Sequence, residues 1–159
     1  ITPVQISWAT FGTVNMPATF IAFGWLRPQY MAKFRRDVMD YIFTMGFNGA
    51  VALTLLYVMA YFGTNGDLEV TRSVITILVA LYGMLITWNI QGIDFYKPDT
   101  FLKNWRLLIL SSVLTALTLL SMYVAPGLFE FYPPSWDGRT GSLLIVGTTA
   151  LFLLTMVML

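Results

Sequence analysis

The sequence predicts an all-α, polytopic helical membrane bundle of five transmembrane helices, the first of them kinked at a proline. Hydrophobic residues make up 57% of the 159 positions and charged residues 11%. The charges gather in short segments between long uncharged runs, whereas a soluble domain spreads them over its surface. No apolar run alternates with period two, and an odd number of long spans does not suit a single-chain barrel. The chain is read as one transmembrane domain, residues 1–159.

A helix needs roughly 17–25 mostly apolar residues to cross a bilayer. Five stretches meet that length: about 4–26, 39–62, 74–90, 107–124 and 142–159. The first connecting segment, about 27–38, carries Arg27, Lys33, Arg35 and Arg36, and the third, about 92–106, carries Lys97, Lys103 and Arg106. The second and fourth hold only Arg72 and Arg139 as basic residues. The excess of Lys and Arg assigns the first and third segments to the cytoplasm and the N-terminus to the outside of the cell membrane. Arg35 and Arg36, with Asp37 beside them, are read as part of this basic anchoring segment. Gly63-Thr64-Asn65-Gly66-Asp67 has the composition of a tight turn with two permissive glycines. Residues 127–141, with Phe129, Phe131, Tyr132 and Trp136, read as an outer interfacial segment, and Trp25, Tyr30, Tyr96 and Trp105 as an inner aromatic belt. Pro98-Asp99-Thr100 suggests the N-cap of a short interfacial helix.

Composition also excludes functions. With neither Cys nor His, the chain has no disulfide, no thiolate or imidazole metal site, and no Cys- or His-based catalysis. No basic tract points to nucleic acid, and no phosphate-binding loop points to a nucleotide. No basic region followed by a cleavage site marks a signal peptide. The start at Ile1 and the apolar run up to Leu159 lead us to expect a piece of a longer chain.

The first span is the unusual one. Pro17 cannot donate a backbone hydrogen bond, and its ring clashes with the carbonyl four residues earlier, which frees the Thr13 carbonyl. Broken helices with freed carbonyls are a recurring way to hold cations within a membrane. Helical spacing places Thr10, Thr13 and Pro17 on one face, with Ser7 a turn outward, and Asn15 on another face with Gly12 and Thr19. Thr13, Thr10 and Asn15 are the candidate cation ligands. The competing reading is packing, since Ser, Thr and Gly also let membrane helices approach closely. Gly46, Gly49 and Gly83 are read as close helix contacts on that ground, and Asn48 beside them as packing.

The run Thr2-Pro3-Val4-Gln5, with Trp8, Thr13 and Pro17-Ala18-Thr19, resembles the sixth transmembrane helix of P-type cation-transporting ATPases. In the calcium pumps of that superfamily the stretch reads P-V-Q-L-L-W-V-N-L-V-T-D-G-L-P-A-T, and the spacing matches without a gap from Pro3 to Thr19. The five spans would then be the sixth to tenth helices. The family's Thr falls on Thr13, its Asn on Thr10, its ion-binding Asp on Val14, and the following Gly on Asn15. The third span offers Thr87, Asn89 and Gln91 where some of these pumps place an acidic ligand. The hydroxyl-rich first span, and Asn104-Trp105-Arg106 before the fourth, are similar to a CtpE-like bacterial branch. The resemblance implies a calcium or magnesium substrate and a parent pump that uses ATP and Mg. It also implies an N-terminal part of the same pump as partner, carrying the D-K-T-G-T phosphorylation motif that this chain lacks. By itself the chain has no catalytic motif and no cofactor of its own. The alternatives are a non-enzymatic integral membrane subunit or scaffold, and a small channel or carrier lined by Ser7, Thr10, Thr13 and Asn15.

Overall fold

The computed structural model describes residues 1–23, 39–40, 42–93, 97–134 and 138–157, and among these every regular element is helical. The first span is a composite: α1 (Pro3–Thr10), a π turn (Phe11–Asn15) and α2 (Met16–Ala22). A second π turn (Ile42–Phe47) leads into α3 (Asn48–Gly63). Then follow α4 (Leu68–Ile90), the short α5 (Pro98–Lys103), α6 (Trp105–Val124) and α7 (Gly138–Val157). Four helices are individually long and apolar enough to cross a membrane: Phe43–Gly63, α4, α6 and α7. The chain is thus a multi-pass helical membrane bundle, with the composite first span packed beside those four.

Local chemistry sets the helix ends. The Thr2 hydroxyl accepts from the Gln5 N–H at 3.3 Å while the Gln5 side chain accepts from the Thr2 N–H at 3.2 Å. This reciprocal capping box, with Pro3 in the first turn, starts the first span. The third span begins at Leu68, six residues before the expected 74, because the Asp67 carboxylate accepts from the N–H groups of Glu69 and Val70 at 3.0 and 3.1 Å. Glu69, Thr71, Arg72 and Ser73 are therefore helical, although hydropathy alone placed them in a connection. The fifth span likewise begins at Gly138 rather than 142, and the fourth at Trp105 rather than 107. The tight turn reverses at Asn65 (φ 57°) and Gly66 (φ 84°). Gly63 stays helical, and its missing side chain makes room for Leu143. Pro98 opens α5 as expected, but its N-cap is Lys97, whose side chain does not cap the helix, so Asp99 lies in the first turn instead. The expected ends at 26 and 159, the basic residues of 27–38, and Trp25, Tyr30, Tyr96 and Trp136 lie outside the described residues.

Helix α4 is the axis of the bundle. Two-thirds of its span is buried (67%), against 22–28% for the other three long helices. It packs against the first span, α3, α6 and α7. Val74, Ile75, Leu78, Tyr82 and Leu85 form the centre of the core with Leu56, Met122, Leu144 and Leu151 from its neighbours. The faces of α3, α6 and α7 turned away from it present Leu55, Phe62, Ile109, Leu117, Ile145 and Leu153, apolar surface suited to lipid. Between helices in lipid the hydrophobic effect adds little, so close packing and hydrogen bonds must hold them together.

Two features let a helix with so many hydroxyls sit in the middle. Its buried threonines return their protons to their own helix: Thr71 to the Asp67 carbonyl at 2.6 Å and Thr76 to Arg72 at 2.8 Å. Glycines supply close contacts on several sides. A Cβ on Gly83 would lie 2.6 Å from the Thr13 hydroxyl oxygen, and one on Gly147 would lie 2.8 Å from Leu78. One on Gly49 would collide with the Tyr82 ring. The expected contacts at Gly49 and Gly83 are thus present, whereas among the described residues nothing lies within 4 Å of a Cβ built on Gly46. Gly49→Val should destabilise the bundle by about 1–3 kcal/mol through overpacking against Tyr82. Gly46→Ala should hold or raise stability by up to about 1 kcal/mol. Unfolding in mixed micelles separates the two.

Candidate functional site

The break in the first span lies just ahead of Pro17. A proline at position 17 removes one helix donor and crowds the Thr13 carbonyl. The expected simple kink is replaced by a wider turn, in which the Met16 N–H reaches back to the Phe11 carbonyl. In an α-helix Met16 would serve Gly12, and residue 17 would serve Thr13. Gly12 and Thr13 are therefore consecutive residues whose carbonyls lack their α-helical donors, in the middle of the span.

Neighbouring helices surround this point with oxygen. The Thr87 hydroxyl of α4 lies 3.0 Å from the Thr13 carbonyl and 3.0 Å from its own Gly83 carbonyl, so its single proton is shared between them. The Thr13 hydroxyl, 2% exposed, donates to the Ala9 carbonyl at 2.8 Å and seats against Gly83. Thr118 of α6 packs on Gly12 and donates to Leu114 at 2.7 Å. The hydroxyl oxygens keep lone pairs after these bonds. The result is a layer of neutral oxygen: two carbonyls from the first span, and hydroxyls from the first, third and fourth.

Of the candidate ligands, only Thr13 lies in this layer. Thr10 is half-buried one turn away, and Asn15 is exposed, as are Ser7 and Thr19. The buried line is Gln5, Ala9, Thr13 and Pro17, spaced by four. A straight α-helix advances 100° per residue, so a four-residue line drifts by about 40° per step. The wide turn absorbs part of that drift and keeps Thr13 and Pro17 on the packed face of Gln5 and Ala9. Gly12 parts from Asn15 for the same reason and faces Thr118. On the third span Thr87 joins the layer, while Asn89 is buried elsewhere with its Nδ2 unpaired among the described residues.

Gln5 is the polar residue whose role the pattern did not reveal. It is fully buried; its Nε2 donates to the Glu130 carbonyl at 2.6 Å, and its Oε1 lies 3.3 Å from the Thr76 hydroxyl, which shares its proton between Gln5 and the Arg72 carbonyl. Glu130 holds a left-handed backbone (φ 49°), rare for a residue with a side chain. The Tyr132 N–H donates to Ser73 at 2.9 Å, and Phe129 and Phe131 are buried. The Trp8 indole donates to Ser121 at 2.8 Å. The segment after α6 is therefore fastened across one end of the bundle, and its expected interfacial aromatics divide, with only Tyr132 exposed among the three described. A glutamine within an apolar run was the available signal, since a buried amide needs partners for both ends.

Among the described residues no group of three or more acidic, Cys or His side chains could hold a metal ion, and the oxygens named above at Gly12, Thr13, Thr87 and Thr118 are neutral. No protein-family profile, curated protein or solved structure matches the chain. Gln5→Leu, which strips partners from Glu130 and Thr76, should cost about 2–3 kcal/mol of stability. Ser7→Ala, at an exposed position, should change it by less than about 0.5 kcal/mol in the same unfolding measurement.

Proposed function

We propose that the chain is the C-terminal membrane portion of a P-type cation-transporting ATPase, and that the Gly12–Thr13 break contributes part of its cation path. The observation that carries this reading is the pair of carbonyls without α-helical donors, set in mid-span against hydroxyls of two other spans. Broken helices of this kind recur at membrane cation sites. The gapless likeness from Pro3 to Thr19 supplies the pump family.

In this reading the ligands from the chain are the Gly12 and Thr13 carbonyls with the hydroxyls of Thr87 and Thr118, and Thr10 lines the approach. Thr87 suits such a role because its proton is already shared. When a cation takes the Thr13 carbonyl, the hydroxyl keeps its bond to Gly83 and turns a lone pair to the ion. Calcium and magnesium normally require carboxylates. Val14 supplies none, so the missing charge comes from the N-terminal part of the same pump, which also hydrolyses ATP with Mg. The excess of Lys and Arg supports a cytoplasmic position for the first and third connecting segments, with the N-terminus outside the cell membrane. The end closed by Gln5 and Glu130 is then the outer one.

The second reading is a non-enzymatic membrane subunit or scaffold. The pairing of Thr13 with Thr87 favours it, since a satisfied polar contact is also what plain packing requires. Pro17→Ala separates the two, because it returns an N–H to the Thr13 carbonyl. In the parent pump, cation-stimulated ATP hydrolysis should fall about 10-fold or more, equivalent to about 1.4 kcal/mol on the barrier. Thr13→Val should raise the cation concentration needed for half-stimulation. Unchanged cation dependence in both variants would leave the scaffold. An upstream reading frame without a D-K-T-G-T motif would remove the pump assignment altogether.

A further inference from the structure

The two π turns among the described residues are built alike, and both face α4. In the first span the turn spans Phe11–Asn15, and Thr87 donates to the carbonyl of Thr13 within it at 3.0 Å. In the second span the turn spans Ile42–Phe47, and the Tyr82 hydroxyl donates to the carbonyl of Met45 within it at 2.7 Å. Each turn also has a carbonyl served by a side chain four residues on: Thr19 donates to Asn15 and Asn48 donates to Thr44, both at 2.8 Å. A glycine clears the approach in each case, Gly83 for Thr13 and Gly49 for the Tyr82 ring. The second turn contains no proline, so a missing donor does not explain it.

A wide turn costs a helix regular hydrogen bonding and persists where something outside the helix favours it. Here the external element is the same in both spans, a hydroxyl on the most enclosed helix of the bundle. We propose that α4 is a register clamp: Thr87 holds the first span, and Tyr82 the second, in the π-turn state. Rewinding either turn to α removes one residue from it, which rotates the helix on one side of the turn by about 100° relative to the other. Loss of one hydroxyl bond therefore exchanges buried for lipid-facing residues along half a span. The two spans are held through separate bonds on one rigid element, so each switches by itself when its own bond is cut, and both switch when α4 moves. This inference does not depend on the cation reading.

The sequence lends itself to the test. Thr13-Val14 is its single Thr-Val pair and Met45-Gly46 its single Met-Gly pair, so pairwise 13C-carbonyl and 15N labelling gives one NMR signal for each turn. The chain has no cysteine, so single-cysteine spin labels along 16–22 and 48–58 report the phase of lipid exposure. In the full chain in lipid nanodiscs, Tyr82→Phe should move the Met45-Gly46 signal and step the second-span phase by about 100°, leaving Thr13-Val14 in place. Thr87→Val should do the converse, and Thr87→Ser, which retains the donor, should keep the wild-type pattern. Unchanged phases in Tyr82→Phe and Thr87→Val would overturn the clamp. So would a shift in Thr87→Ser, which would assign the turn to methyl packing, or loss of both signals' positions in each single variant, which would indicate general loosening.

Discussion

A carbonyl released inside a bilayer finds no water, so a donor on another helix has to answer it or its span does not hold its shape. That constraint organises this bundle. Pro17 and the wide turn before it release carbonyls in the first span, and Thr87 answers the one at Thr13. Tyr82 reaches Met45 in the same way. Gln5 applies the rule in reverse, as a buried amide that must draw partners from Glu130 and Thr76. Together these bonds tie the first span, the second span and the segment after α6 into the bundle, and three of the four have a partner on α4.

The enclosure of α4 follows from the same requirement. A helix that donates hydroxyls on several faces needs neighbours on those faces, and it needs small residues where they come close. Gly83 and Gly49 meet that need around Thr13 and Tyr82, and Gly147 admits Leu78 on the α7 side. The other three long helices can turn one side to lipid because they have a single inward face. Rigidity at the centre and exchangeable bonds at its edges are properties that a gated membrane path uses. They are also properties that a static scaffold tolerates.

The number and order of the spans were legible because a bilayer imposes length and apolarity on every crossing segment. The start of α4 was not, since its first turns carry Glu69, Thr71, Arg72 and Ser73, and only the Asp67 cap makes them helical. In the candidate site, Thr13 was legible from the chemistry of Pro17. The pairing of faces around it was less legible for a physical reason: counting at 3.6 residues per turn cannot anticipate a wide turn, which parts Gly12 from Asn15 and puts Gly12 against Thr118. Thr118 lies a hundred residues from its partner and carries no local mark that would set it apart from the other hydroxyls of its helix. Gln5 was visible as a polar residue in an apolar run, but the carbonyl it holds belongs to a segment with no periodicity.

The central claim is that α4 is enclosed by protein and that its neighbours depend on it. The most direct measurement is labelling from the lipid phase with a membrane-soluble photoreactive diazirine, followed by residue-level mass spectrometry. Label is expected along one face of residues 43–62, 105–124 and 138–157, and almost none between Thr71 and Asn89. A third span labelled with a helical period as strong as that of the other spans would contradict it.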